Sequence, residues 1–440
     1  MNKIILILLL LFNFAFSNTL YDLLKAKDYN KLDAYLQKAS IDALKNSDLE
    51  KKFYNLFYDF KYNKNSKKLI EDYLKNKPKS EFAHMLLGGY YLDAGYKARG
   101  NKWTKDTPKE NIKKMSKLLQ KANSQFLKAI ELNNLVAYPY TELMSTYAYM
   151  GYNRDNLFYQ ASLELPNSLK IYTRYLWLNL TRWGGSYENI EYTLKEMKKR
   201  YKFNPEFKKY EGFVDYAKAD YNYYHSHNYK KALQFINKAI KISNNTIYKE
   251  LKANILFYLK EYQKSLELVN LLLKEDSKNE DMQKLKLKLL YRLKKYDLAY
   301  KLAEDILQKD KSNFDAYYIK GLIDYAKSNY DMAILNLLSA YGLDKTKSVN
   351  VYLGFSYYMK KEYNQAAMHL KEAYKLGANS SEVLYYLAAS QWHIRDCDFV
   401  KSAFNYKKVC TKKGDCQKSW LDWAIKSANF AIKRGICKLD

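Results

Sequence analysis

The 440 residues include 75 lysines and arginines against 47 aspartates and glutamates, a formal charge of +28. Such a balance points first to nucleic acid, because a basic surface neutralises phosphates. Only eight of the basic residues are arginine and no nucleic-acid-binding motif is present, while lysines fall on helix faces that must be polar anyway, so nucleic acid is excluded as the expected partner.

In chain order, Met1-Asn2-Lys3 precedes an apolar run from Ile4 to Phe16, and Ala15-Phe16-Ser17 has the small-x-small spacing of a cleavage site. Residues 1–17 therefore read as a secretory signal peptide, and the mature chain is expected to be periplasmic or secreted. The run is well short of the roughly 20 apolar residues that span a bilayer, and no later segment is long enough either. No cysteine stands at the cleavage site to take a lipid.

Residues 18–205 are helical in pattern, with degenerate repeats such as Ala129-Ile130-Glu131-Leu132-Asn133-Asn134. Two segments break the pattern: Gly95-Tyr96-Lys97-Ala98-Arg99-Gly100-Asn101-Lys102-Trp103 and Arg182-Trp183-Gly184-Gly185-Ser186-Tyr187-Glu188. Where lysine so outnumbers arginine, an arginine beside a tryptophan in a glycine-rich turn indicates a need for the planar guanidinium fork. Two readings stand side by side. Arg99 and Arg182 pin loops through backbone carbonyls or a carboxylate such as Asp93 or Glu188, with Gly184 and Gly185 permitting a sharp turn. Alternatively, they hold a small anionic group against Trp103 or Trp183.

All five prolines lie at or before Pro205, which suggests a boundary there. Over residues 206–410, Tyr229, Tyr262, Tyr296, Tyr330 and Tyr363 recur every 33 or 34 residues. A small residue follows each at an offset of three (Ala232, Ser265, Ala299, Ala333, Ala366), and apolar residues follow at seven and ten. Steps of three and four mark one face of an α-helix, and a second helical pattern precedes each tyrosine, so each unit is a helical hairpin. The strings Ala316-Tyr317-Tyr318-Ile319-Lys320-Gly321 to Tyr330-Asp331-Met332-Ala333-Ile334, and Leu353-Gly354-Phe355-Ser356-Tyr357-Tyr358 to Tyr363-Asn364-Gln365-Ala366, resemble the tetratricopeptide repeat over about residues 210–410. That resemblance implies an all-α fold, a right-handed α-α superhelix, with protein or peptide partners bound on its concave face. Residues 80–200, through the two arginine-tryptophan segments, resemble a bacterial repeat-associated domain of unknown function. That implies no activity.

Five residues before each marker stands an aromatic: Tyr224, Phe257, Tyr291, Tyr325, Tyr358 and, before Cys397, Trp392. This ladder lies on the first helices, which line the binding groove in tetratricopeptide arrays. It either contacts a partner or fills space between hairpins.

All four cysteines fall in the last 44 residues, where residues 411–440 read as a capping helix. An even, clustered number in an exported chain indicates two disulfides. Cys397 takes the marker position of a sixth unit, whose helix is expected to run to about Lys408, and a turn at Gly414 leads to a last helix from about Ser419 to Arg434. Antiparallel packing then favours the nested pairing Cys397 with Cys437 and Cys410 with Cys416. Spacings without a close CxxC pair argue against zinc.

The five histidines are dispersed, and neither a nucleophile elbow nor a phosphate loop is present, so no cofactor, metal or catalytic residue is expected. The leading expectation is an exported, non-catalytic scaffold for a protein or peptide. The alternatives are a binder of anionic envelope polymer or lipid and, third, an enzyme built around Arg99, Arg182, Asp93 and Glu188.

Overall fold

The computed structural model describes residues 16–58, 60, 62–100 and 107–437. The expected leader, except Phe16 and Ser17, lies outside them, as does Trp103. All regular structure among the described residues is helical, and no helix there is long and apolar enough to cross a membrane. The chain divides into two compact units, one up to Ile255 and one from Leu256, while proline usage changes earlier, at Pro205.

In the second unit the hairpins follow directly from the repeat. Asn279, Asn313, Thr346 and Ser380 each cap a first helix by accepting a backbone N–H three residues on. These helices run Glu280–Arg292, Phe314–Ala326, Lys347–Met359 and Ser381–His393. Each stops in a tight turn, and its partner helix starts at or beside the marker position: Tyr296–Lys309, Tyr330–Leu343, Tyr363–Lys375 and Asp398–Lys413, respectively, while Tyr262–Glu275 is the second helix of the hairpin before them. These hairpins are tetratricopeptide-like.

The core of each hairpin explains the offsets. Ser265, Ala299, Ala333 and Ala366 are fully buried, as are Val269, Ala303, Leu337 and Leu370 four residues later. A small side chain at offset three lets the two helices approach, and the residue at offset seven fills what remains. Where the filler is leucine, glycine faces it. A Cβ on Gly321 would stand 2.6 Å from Leu337 Cγ, and one on Gly354 would stand 2.4 Å from Leu370 Cγ. One hairpin earlier the bulk changes helix, with Leu287 nine residues before the marker and Ala303 seven after it.

The turn has a backbone signature that composition conceals. His227, Lys260, Lys294, Ser328, Lys361 and Arg395, each two residues before a marker position, all adopt positive φ between 50° and 63°. One more residue shares it: Lys27, with φ 59°, two residues before Tyr29. The helices Phe16–Ala26 and Tyr29–Ala43 therefore meet in the same kind of turn as the array, and Tyr29, Leu32 and Leu36 are buried as marker, offset three and offset seven. Leucine at offset three, where the array has alanine or serine, hides this unit from the sequence pattern.

At the C-terminus the sixth-register helix spans Asp398–Lys413, running past Lys408, and ends at Gly414 in the left-handed region with φ 74°. The last helix, Lys418–Lys433, packs Ala424 and Ala428 against Phe399, Val400 and Ala403. The sulfurs of Cys397 and Cys437, and of Cys410 and Cys416, stand at bonding distance, with Cα separations of 5.4 and 4.7 Å.

Candidate functional site

The ladder residues Phe257, Tyr291, Tyr325 and Tyr358 of the second unit are half-buried, neither core nor free surface. Each is braced against the marker of its own hairpin across the turn: Phe257 on Tyr262 at 5.5 Å, Tyr291 on Tyr296 at 5.9 Å, Tyr325 on Tyr330 at 5.8 Å and Tyr358 on Tyr363 at 5.5 Å. Tyr325 also meets Tyr352 of the next first helix at 5.5 Å, and Tyr358 meets Tyr386 at 4.8 Å. Tyr385 continues the row to Trp420 in the cap. The result is a run of edge-on and tilted rings over consecutive first helices, the arrangement that aromatic quadrupoles favour. Trp392 ends the ladder 40% exposed, 4.9 Å from Trp423.

Burial of these rings pushes the hydroxyls of Tyr291 and Tyr358 up to about 12 and that of Tyr325 above its ordinary range. All three stay protonated near neutrality. The hydroxyls of Tyr291, Tyr325 and Tyr352 make no hydrogen bond to a described residue, and none is sealed from solvent. The face therefore offers flat apolar area with donors and acceptors held at its surface.

Tyr224, the first rung, belongs to the N-terminal unit and has a different neighbour. The guanidinium of Arg182 lies 4.5 Å from its ring centroid and 5.9 Å from those of Trp177 and Trp183. The same guanidinium faces Asp220, Nη1 to Oδ1 3.4 Å, from the short 3-10 turn Thr181–Trp183 to the helix Phe213–Tyr224. The carboxylate that meets Arg182 is thus neither Asp93 nor Glu188. Asp93 pairs with Lys97 at 2.7 Å one turn along its own helix. Glu188 is exposed in the first turn of the helix Tyr187–Lys198, its carboxyl held low by its own backbone N–H and by Ser186. Asp220 is fully buried; its oxygens accept no hydrogen bond from a described residue, and desolvation outweighs Arg182 to raise its pKa to about 6.

The two arginine-tryptophan segments do converge, through a residue that sequence reasoning missed. The ring of Tyr149 packs tilted at 5.3 Å from Tyr96 of the first and edge-on at 5.6 Å from Trp183 of the second. Arg99, at the end of the helix Glu81–Arg99, donates to the carbonyl of Gly100 at 3.2 Å.

Other arginines of this unit pin buried groups as well. Arg174 Nη2 donates to Tyr54 Oη at 2.6 Å and to Glu142 Oε1 at 3.1 Å, while Tyr54 donates to the same carboxylate. Arg154 reaches the Leu178 carbonyl at 2.7 Å, and Arg200 reaches Tyr172 Oη at 2.9 Å. Beside the Tyr54 network a cavity of about 370 Å³ opens between Glu50, Tyr54, Tyr138, Ser168 and Asn204. Glu50 accepts from the Ser168 hydroxyl and the Lys170 N–H, yet burial still raises its pKa. The scarcity of arginine was the available signal for Arg174; Glu50, Tyr54 and Glu142 left none, being ordinary residues of helical segments.

Hairpin and turn together define a helical-repeat fold of the tetratricopeptide type. A family model described as "Domain of unknown function (DUF4034)" matches residues 17–155, covering the Arg99 segment and stopping before Arg182. The match overlaps the stretch of resemblance expected at 80–200 as far as residue 155 and begins further toward the N-terminus. The chain is similar to a tetratricopeptide repeat protein from Parabacteroides merdae, at 16% identity over 58% of this chain and 98% of that one, with a TM-score of 0.40. It is similar to Pseudomonas aeruginosa pilF at 17% identity over 47% and 97%, TM-score 0.42, and to MamA from Desulfovibrio magneticus RS-1 at 20% identity over 38% and 94%, TM-score 0.33. No curated protein matches.

Proposed function

We propose that this chain is an exported, non-catalytic scaffold that binds an extended protein or peptide partner across the first helices of its hairpins. The observation that carries this reading is the braced ladder: rings held at fixed spacing, with the half-buried hydroxyls of Tyr291, Tyr325 and Tyr352 unpaired by any described residue and not sealed off. A rigid amphipathic ring binds at low entropic cost, because few rotatable bonds remain to be frozen. Export is supported by the leader-like N-terminus and by four cysteines placed at bonding distance in pairs, as an oxidising compartment would favour.

The test is affinity capture with the exported chain, compared with Tyr325→Ala/Tyr358→Ala. The expected result is a protein partner that the double variant loses while its melting temperature stays within a few degrees of the parent. Capture of glycan or lipid without protein, or retention of the partner by the double variant, would overturn the reading.

A further inference from the structure

The second helices present one face outward at offsets of two, five and eight from the marker. In the hairpin of Tyr262 these positions hold Lys264, Glu267 and Asn270, as a solvated face should. In the hairpin of Tyr330 they hold Met332, Leu335 and Leu338, which are 37%, 57% and 40% exposed. The helix Tyr330–Leu343 carries one charged residue, Asp331, in a chain of net charge +28. Its neighbours add one apolar residue each on the same face, Leu298 at 59% and Met368 at 54%. Lys327 to Asp297 at 2.8 Å and Lys360 to Asp331 at 2.5 Å tie the starts of the helices at Tyr296 and Tyr330 to the beginning of the turn that leads into the next second helix. A helix apolar on every face is ordinarily covered, and this one is uncovered over its outer stripe.

Charge selects what covers it. An anionic bilayer would meet no lysine on the stripe helix, and on its flanks would meet Asp297 and Glu304 as well as Lys301 and Lys371. A second copy finds complementary partners instead. Glu304, 51% exposed and 3.3 Å from Lys320 of its own chain, stands at offset eight on one flank, and Lys371, 50% exposed and paired with Asp398 of its own chain, stands at offset eight on the other. A two-fold axis running along the stripe sets Met332, Leu335 and Leu338 against their own counterparts, and sets Glu304 of each copy opposite Lys371 of the other. We propose that the outer face of the helix Tyr330–Leu343 is the contact of a symmetric homodimer with the two stripe helices parallel. Such an isologous contact uses one patch twice and closes on itself, leaving the first-helix face free.

The experiment is light scattering and sedimentation of the full chain over a concentration series, with three variants. The parent is expected at twice the monomer mass, and Leu335→Lys at the monomer mass with unchanged helicity and melting. Glu304→Lys alone is expected to shift the midpoint of association to higher concentration, and Glu304→Lys with Lys371→Glu to bring it back. A parent that remains monomeric to on the order of 100 µM, a dimer indifferent to Leu335→Lys, or sedimentation with anionic vesicles that depends on Leu335 would each overturn the proposal.

Discussion

Arg182 Nη1 stands 3.4 Å from Oδ1 of Asp220, with the guanidinium enclosed by the rings of Trp177, Trp183 and Tyr224. Neither Asp220 oxygen accepts a hydrogen bond from a described residue, and Arg182 Nε donates none. The pair is therefore held by charge and stacking without directional bonds, and the carboxylate bears most of its desolvation uncompensated.

That imbalance makes stability depend on pH. The pKa of Asp220 is about 6 in the fold, against an ordinary value of 3.8. Between about pH 4 and pH 6 the unfolded chain has released a proton that the folded chain still holds, so stability falls as pH rises through this window. The contribution is about 3 kcal/mol, fully lost above pH 6. Asp220→Asn is expected to flatten this component, measured as the difference between parent and variant melting curves from pH 4.5 to 7.5; identical pH slopes would refute it.

Gly185 and Gly184 separate close approach from backbone freedom. A Cβ on Gly185 would lie 2.1 Å from the Cα of Asn179, a backbone atom that cannot swing away. Gly185→Ala is expected to cost more than about 2 kcal/mol in urea unfolding. Gly184 has φ 71° and open space around it, so Gly184→Ala should cost only about 1 kcal/mol, through its left-handed backbone.

The turn residues test the same physics in the opposite direction. Lys294 holds φ 57° without being glycine. Lys294→Gly relieves that strain at some cost in unfolded-state entropy, for an expected net gain of about 0.5 kcal/mol. Lys294→Val, β-branched at the same φ, should lower the urea midpoint instead.

The cap's cysteines differ in the loop each pair closes, with sequence separations of 40 and 6. On a chain-entropy account the longer loop contributes about 4 kcal/mol and the shorter about 2 kcal/mol. Cys397→Ser/Cys437→Ser is therefore expected to depress the melting temperature more than Cys410→Ser/Cys416→Ser. Non-reducing peptide mapping checks the pairing itself, and recovery of a crossed peptide would refute the nested arrangement.

Much of the hairpin architecture was legible from Tyr229, Tyr262, Tyr296, Tyr330 and Tyr363, because a repeated hairpin must repeat its contacts and therefore its side-chain sizes. The earlier unit at Tyr29 escaped because Leu32 breaks the size pattern, while the shared left-handed turn at Lys27 is a backbone property that many residue types satisfy. The N-terminal segments were legible as unusual, since arginine is scarce here. Their partners were not, because Asp220 and Tyr149 are distant in sequence from the residues they meet and carry no local signal of their own.

What the amino-acid sequence determined alone is whatever depends on neighbours within one repeat: the helical periodicity, the marker phase and the small residue that lets two helices close. Tertiary structure alone decided which long-range groups meet. It buried Asp220 against Arg182, brought Tyr96 and Trp183 together on Tyr149, and left Met332, Leu335 and Leu338 facing outward. Periodicity reports which face a residue occupies; whether that face is covered depends on elements far along the chain, or on another chain.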